Sequence, residues 1–166
     1  VFARTEATLV LNDRVDLALL AGWGVHVGQG DMTACDARRV LFPRPRAEDA
    51  SEWGIGVAGV RQIVGLSTHN TAQVIAAEAG CADYVAVGPV FATPSKTDAE
   101  PVVGLQGVRR ARLLTKKPLV AIGGITRENA RSVIEAGADS VAVIGALLVA
   151  GERPGKVAED FLEILR

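Results

Sequence analysis

One joint occurs three times in this chain and limits what it can become. Leu20-Ala21-Gly22 stands before Gly24-Val25-His26-Val27-Gly28, Glu78-Ala79-Gly80 before Asp83-Tyr84-Val85-Ala86-Val87-Gly88, and Glu135-Ala136-Gly137 before Asp139-Ser140-Val141-Ala142-Val143. Each copy reads as a helix end, a glycine and an apolar strand. Glycine suits the stop because the left-handed cap that ends a helix costs least without a Cβ. The apolar runs do not alternate with polar residues, as they would in a sheet with one wet face. They belong to parallel strands covered on both sides.

Six such strands are expected, at Thr8 to Leu11, Gly24 to Val27, Gln62 to Leu66, Tyr84 to Val87, Leu119 to Ile122 and Ser140 to Ile144. Helical patterns separate them, at Val15 to Leu20, Met32 to Val40, Thr71 to Ala79, Leu105 to Leu114, Arg127 to Ala136 and Pro154 to Leu165. Repetition of one βα module favours a TIM (β/α)8-type barrel over a doubly wound sheet. A length of 166 residues suits a single domain, residues 1–166. The regularity breaks only from Phe42 to Arg61, where Pro43, Pro45, Gly54, Gly56 and Gly59 predict an irregular surface loop.

Composition excludes more than it assigns. With 18 Lys and Arg against 19 Asp and Glu, the net charge of -1 offers no general field for nucleic acid or an anionic membrane. No apolar run reaches the ~18 residues of a membrane span, and Val1 to Glu6 lacks the shape of a signal peptide, so a cytoplasmic location is expected. Cys35 and Cys81 are too few for a disulfide scaffold or a four-ligand zinc site and read as small buried or half-buried residues. The basic groups Arg38, Arg39, Arg44, Arg46 and Arg109, Arg110, Arg112, Lys116, Lys117 read as solvated faces.

Reactive residues of a parallel α/β domain gather where the strands end. Asp13 and Asp31 follow neighbouring strands, and two carboxylates plus substrate phosphates are a usual cradle for Mg²⁺. Capping the helix that follows is the other duty open to both. The stretch Phe91 to Asp98 runs through Thr93, Pro94 and Ser95 to Lys96, hydroxyls and an ammonium that suit a phosphate, or else a plain exposed loop. Gly123-Gly124 and Gly145 follow the last two strands, where bare amides often hold phosphate. His26 reads as strand packing and His69 as a helix-terminal donor; neither has the partners of a hydrolytic triad or of a zinc site.

Taken in order, five segments resemble the thiamine phosphate synthase family. They are Leu11 to Ala18, Gly24 to Asp31, Val64 to His69, Gly88-Pro89-Val90-Phe91-Ala92-Thr93-Pro94-Ser95-Lys96, and Val120 to Ile125. The resemblance implies a transferase that joins an aminopyrimidine methyl diphosphate to a thiazole phosphate or its carboxylate, releasing diphosphate. It implies Mg²⁺ on Asp13 and Asp31, and Asn12 on the pyrimidine diphosphate. Ser67 would face the pyrimidine and the departing diphosphate, and Lys96 the diphosphate. Thr93, Pro94, Ser95, Gly124, Ile144 and Gly145 would hold the thiazole phosphate. Against the family pattern two βα units that precede Leu9 are missing, the Phe42 to Arg61 stretch is long, and Gly145 replaces a common serine. Partners are then two small-molecule substrates, with homo-oligomerisation left open. Two other functions compete, a non-catalytic thiazole-phosphate-binding remnant and a thiazole tautomerase. The acidic pair and Lys96 disfavour both, and Pro89 stands where the tautomerase would need a histidine.

Overall fold

The computed structural model describes residues 7–42, 62–94 and 100–166. Strands and helices alternate along them: β1 (Val10–Asn12), α1 (Val15–Ala21), β2 (Gly24–Val27), α2 (Ala34–Leu41), β3 (Val64–Thr68), α3 (Thr71–Ala79), β4 (Tyr84–Val87), α4 (Gly104–Leu114), β5 (Leu119–Ile122), α5 (Ala130–Glu135), β6 (Ser140–Ala142) and α6 (Pro154–Ile164). A 3-10 turn spans Gly145–Leu147. Two compact units divide the chain, one running to Leu66 with Gly80–Asp83 added, the other taking Ser67–Ala79 and Tyr84–Arg166. Strand pairing inside each unit is parallel, so the class is α/β. The expected irregular loop falls, after Phe42, outside the described residues.

In the first unit β1 lies beside β2, with Asn12 opposite His26, and β2 lies beside β3, with Val25 opposite Val64. Its core joins Val15 and Ala18 of α1 and Ala34, Ala37 and Leu41 of α2 to Val25, Val27 and Val64 of the strands. The helix positions are three or four apart and so share one face. Gly22 ends α1 at φ 70°, and the Trp23 N–H reaches back to the Ala18 carbonyl at 3.0 Å. That is the expected left-handed cap with its long return bond.

Besides the bounds of β1, α1, α2 and β3, which move by one or two residues, three expectations change in this unit. Cys35 and Cys81 are not separate thiols but a disulfide across 46 residues of sequence. Their spacing could not show it, because only the fold brings the start of α2 to the segment before β4. Arg38 is not a solvated charge either: Nε donates to the Cys81 carbonyl at 2.7 Å and Nη2 to Asp83 at 2.5 Å. The third is Gly80, which is not among the glycines with positive φ.

In the second unit β5 lies between β4 and β6, with Val85 opposite Leu119 and Val120 opposite Ser140. Pairs at helical spacing face inward: Val74 and Ala77, Val108 and Ala111, Ala130 and Val133, Val157 and Phe161. Leu119 is fully buried. Arg112, expected in solvent, donates to Asp139 and to the Thr115 and Lys117 carbonyls, and Lys117 Nζ donates to the Ala77 carbonyl. A helix beginning at Arg127 was expected from periodicity, whereas α5 starts at Ala130. Among the described residues no helix is long and apolar enough to cross a membrane.

Candidate functional site

The first unit presents Asn12, Asp13 and Asp31 at the carboxyl ends of β1 and β2. Asp13 takes φ 61°, a left-handed conformation that Asp tolerates better than most residues. Its N–H donates to the His26 carbonyl at 2.8 Å, so the turn is tied to the adjoining strand. Asn12 Nδ2 donates to Asp13 Oδ2 at 2.7 Å. On the next strand end, Asp31 Oδ2 accepts the Gly28 N–H at 2.8 Å and closes a tight turn over Gln29 and Gly30. Both aspartates are exposed.

Neither occupies a helix N-cap. That position is Arg14 for α1, with no side-chain cap, and Thr33 for α2, whose hydroxyl accepts the Asp36 N–H at 3.2 Å. His26 lies inside β2, where burial pushes its imidazole below the ordinary value while the charge of Asp31 pulls the other way. Among the described residues no group of three or more His, Cys, Asp and Glu side chains is placed to hold a metal. A cation here would rest on the two carboxylates and on oxygen brought by substrate.

The second unit presents Ser67, Thr93, Pro94, Gly124, Ile144 and Gly145. Ser67 is half-buried at the end of β3, next to Thr68, which is buried and donates to the Ala86 carbonyl at 2.8 Å. His69 takes a role at the start of α3. Its ring Nδ1 lies 2.6 Å from the Gly88 carbonyl, and its N–H donates to Gln73 Oε1 at 2.7 Å. Thr93 is half-buried and Pro94 exposed; Ser95 and Lys96 lie outside the described residues. Ile144 and Gly145 are exposed at the opening of the 3-10 turn, where the Leu147 and Leu148 N–H groups return to their carbonyls.

After β5, Gly123 and Gly124 have φ of 95° and 65°. A Cβ on Gly124 would stand 2.5 Å from the Ala92 carbonyl oxygen, so only glycine lets this turn lie against residues 91 and 92. Two groups near it escaped the sequence reading. Asn129 spans the turn, taking the Thr126 N–H on Oδ1 at 2.8 Å and donating to the Gly124 carbonyl at 3.1 Å. Arg127 forks onto Glu152 at 2.7 and 2.8 Å and reaches Asp160 at 2.8 Å, bonds that hold its guanidinium more firmly protonated. The Asn three residues after Thr126 was a legible turn signal; the Arg127 partners, 25 and 33 residues away, were not. A cavity of about 250 Å³ lies between α3 and α4 and includes none of the expected site residues.

The chain is similar to known proteins over most of its length. Residues 1–45 and 55–147 match the family model described as thiamine monophosphate synthase. The thiamine-phosphate synthase of Koribacter versatilis is 53% identical over 161 residues, 96% of this chain and 67% of that protein. The thiamine-phosphate synthase of Methanoregula boonei is 45% identical over 145 residues, 87% of this chain and 59% of that protein. Among solved structures, the thiamine phosphate pyrophosphorylase from Pyrococcus furiosus superposes with a TM-score of 0.77 at 34% identity, covering 96% of this chain and 68% of that one. A match that spans both units and includes every strand end described above leaves one conclusion: the chain belongs to the thiamine monophosphate synthase family.

Proposed function

We propose that the chain performs its family's transfer, joining an aminopyrimidine methyl diphosphate to a thiazole phosphate with release of diphosphate. The observation that carries this reading is the pair Asp13 and Asp31, at the ends of neighbouring parallel strands and spent on neither helix N-cap. The six strands would then be part of a (β/α)8 barrel.

The acidic pair fits a hard divalent cation. Both carboxylates are exposed, and in each a neighbouring N–H donor steadies Oδ2. Oxygen-only ligands with room for water and phosphate are what Mg²⁺ asks for. When bound, it would neutralise charge on the departing diphosphate. Asn12 would orient the pyrimidine diphosphate and Ser67 the pyrimidine. Lys96 would take up diphosphate charge as the carbon–oxygen bond breaks.

An electron-rich aminopyrimidine stabilises the methylene cation left behind, so no covalent nucleophile is needed. What remains is to hold the thiazole nitrogen in line with that carbon. Thr93, Pro94, Ser95, Gly124, Ile144 and Gly145 would do so through the phosphate handle, converting binding energy into orientation.

The test supplies the purified chain with both substrates and Mg²⁺ and measures diphosphate and thiamine phosphate. Equal, Mg²⁺-dependent yields of the two are expected. Binding of thiazole phosphate with no turnover would instead describe a phosphate-binding module, and rearrangement of the thiazole alone an isomerase.

A further inference from the structure

Beyond the residues already given roles, Asn129 decides which backbone donors the turn after β5 has to offer. Two consecutive peptide units there have their carbonyls engaged. The Gly123 carbonyl accepts the Phe91 N–H at 3.0 Å, and the Gly124 carbonyl accepts Asn129 Nδ2 at 3.1 Å. In a trans peptide the N–H points opposite to the C=O. The N–H groups of Gly124 and Ile125 are therefore directed away from Phe91 and Asn129 respectively. Neither donates a hydrogen bond among the described residues. The next donor, the Thr126 N–H, is already taken by Asn129 Oδ1 at 2.8 Å.

Successive N–H groups left open in this way form a concavity suited to an anion. The Gly123-Gly124 pair makes it possible and also endangers it. Both residues sit at positive φ, and with no Cβ on Gly124 the peptide that joins it to Ile125 is less restricted in its plane on that side. Asn129 supplies that fixation from one half-buried side chain, with its carbonyl on one edge of the turn and its amide on the other.

We infer that Asn129 is a positioning residue for a phosphate monoester: by holding the Gly124 carbonyl it aims the Gly124 and Ile125 N–H groups at the phosphate oxygens. This rests on the thiazole phosphate contact proposed for Gly124. Asn129 itself touches no substrate. Its loss would leave the same donors present but unaimed.

The experiment compares wild type, Asn129→Ala and Asn129→Asp by calorimetric titration with thiazole phosphate and with the phosphate-free thiazole alcohol. Thermal melting of each variant is followed in parallel. Asn129→Asp keeps an acceptor for the Thr126 N–H and offers no donor to the Gly124 carbonyl, so it carries the test if Asn129→Ala fails to fold. The phosphate ester is expected to bind about tenfold more weakly to either folded variant, the size of effect that one or two lost hydrogen bonds give. The alcohol should bind as it does to wild type.

In turnover the same variants should show a raised KM for thiazole phosphate with little change in kcat. Unchanged affinity for the ester in both folded variants would overturn the positioning role alone. So would an equal loss for ester and alcohol, which marks a merely structural residue. Failure of the wild type to bind thiazole phosphate would overturn the phosphate contact at Gly124, and the role of Asn129 with it.

Discussion

Asp139 and Leu119 exchange two hydrogen bonds: Asp139 Oδ2 accepts the Leu119 N–H at 2.7 Å, and the Asp139 N–H donates to the Leu119 carbonyl at 2.8 Å. Leu119 opens β5 and is fully buried, so its N–H would otherwise lack a partner. Arg112 Nη1 meets the same Oδ2 at 2.7 Å and ties the pair to α4. In the other unit Asp83 does the same for Val64, the first residue of β3. Its Oδ2 accepts at 2.8 Å, its N–H donates at 2.7 Å, and Arg38 of α2 adds the cation. The aspartate in the repeated joint is thus a device for starting the neighbouring parallel strand.

Replacing Asp139 tests it. Asp139→Ala strands the buried Leu119 N–H and should cost about 2 kcal/mol of stability, the usual penalty for an orphaned buried donor. Asp139→Asn keeps an acceptor oxygen and should recover a good part of that. Urea denaturation of the three proteins gives the comparison. An alanine variant as stable as the wild type would show that the bond only accompanies strand pairing.

The same joint shows how far the sequence could be read. Strands at Gly24–Val27, Tyr84–Val87 and Leu119–Ile122 and the helix at Thr71–Ala79 have the expected bounds, since a glycine (Gly28, Gly88, Gly123 and Gly80) follows each of them. The start of α5 was misplaced because the helical pattern was carried back to Arg127, whereas Asn129 Oδ1 takes the Thr126 N–H and closes a turn over Arg127 and Glu128. Gly80 precedes Cys81, which the disulfide binds to Cys35, and no left-handed cap forms there. That Asp13 and Asp31 follow neighbouring strands was legible, because strand ends are visible in a sequence. Arg38 and Arg112 were not, because a cation on a helix looks solvated until its partner, 45 or 27 residues on, is brought to it.

Tyr84 offers a pH test with a clean readout, since it is the chain's single tyrosine. Burial pushes its phenol up from 10.0 to about 12. The folded value lies above the unfolded one, so the unfolded state sheds the proton first. Stability from this group is fully present below pH 10.0 and is lost as pH rises through about 12. Phenolate absorbance should therefore lag behind that of a free tyrosine in the folded protein and appear together with unfolding. A folded protein whose tyrosine titrates near 10.0 would contradict the burial.

The disulfide makes a second stability test. Cys35 and Cys81 are 46 residues apart, and in the chain-entropy description closing such a loop restrains the unfolded state by about 4 kcal/mol. Dithiothreitol should lower the denaturation midpoint of the wild type and leave that of a Cys35→Ser, Cys81→Ser double variant unchanged. A wild type indifferent to the reductant would argue that the bond contributes nothing.

Asp31 separates charge from shape. Asp31→Asn retains an oxygen at the position that accepts the Gly28 N–H, so the turn over Gln29 and Gly30 should survive with little change in melting temperature. What disappears is one of the two negative charges on which the proposed cation depends. Mg²⁺-dependent diphosphate release should then fall by about a hundredfold or more, while thiazole phosphate binds nearly as before. Asp31→Ala loses both acceptor and charge, so it should show the same loss of turnover together with a lower melting temperature. If Asp31→Asn weakened thiazole phosphate binding as much as diphosphate release, the carboxylate would be shaping the fold around it rather than holding a metal. If both variants turned over normally, the acidic pair would have no part in the reaction.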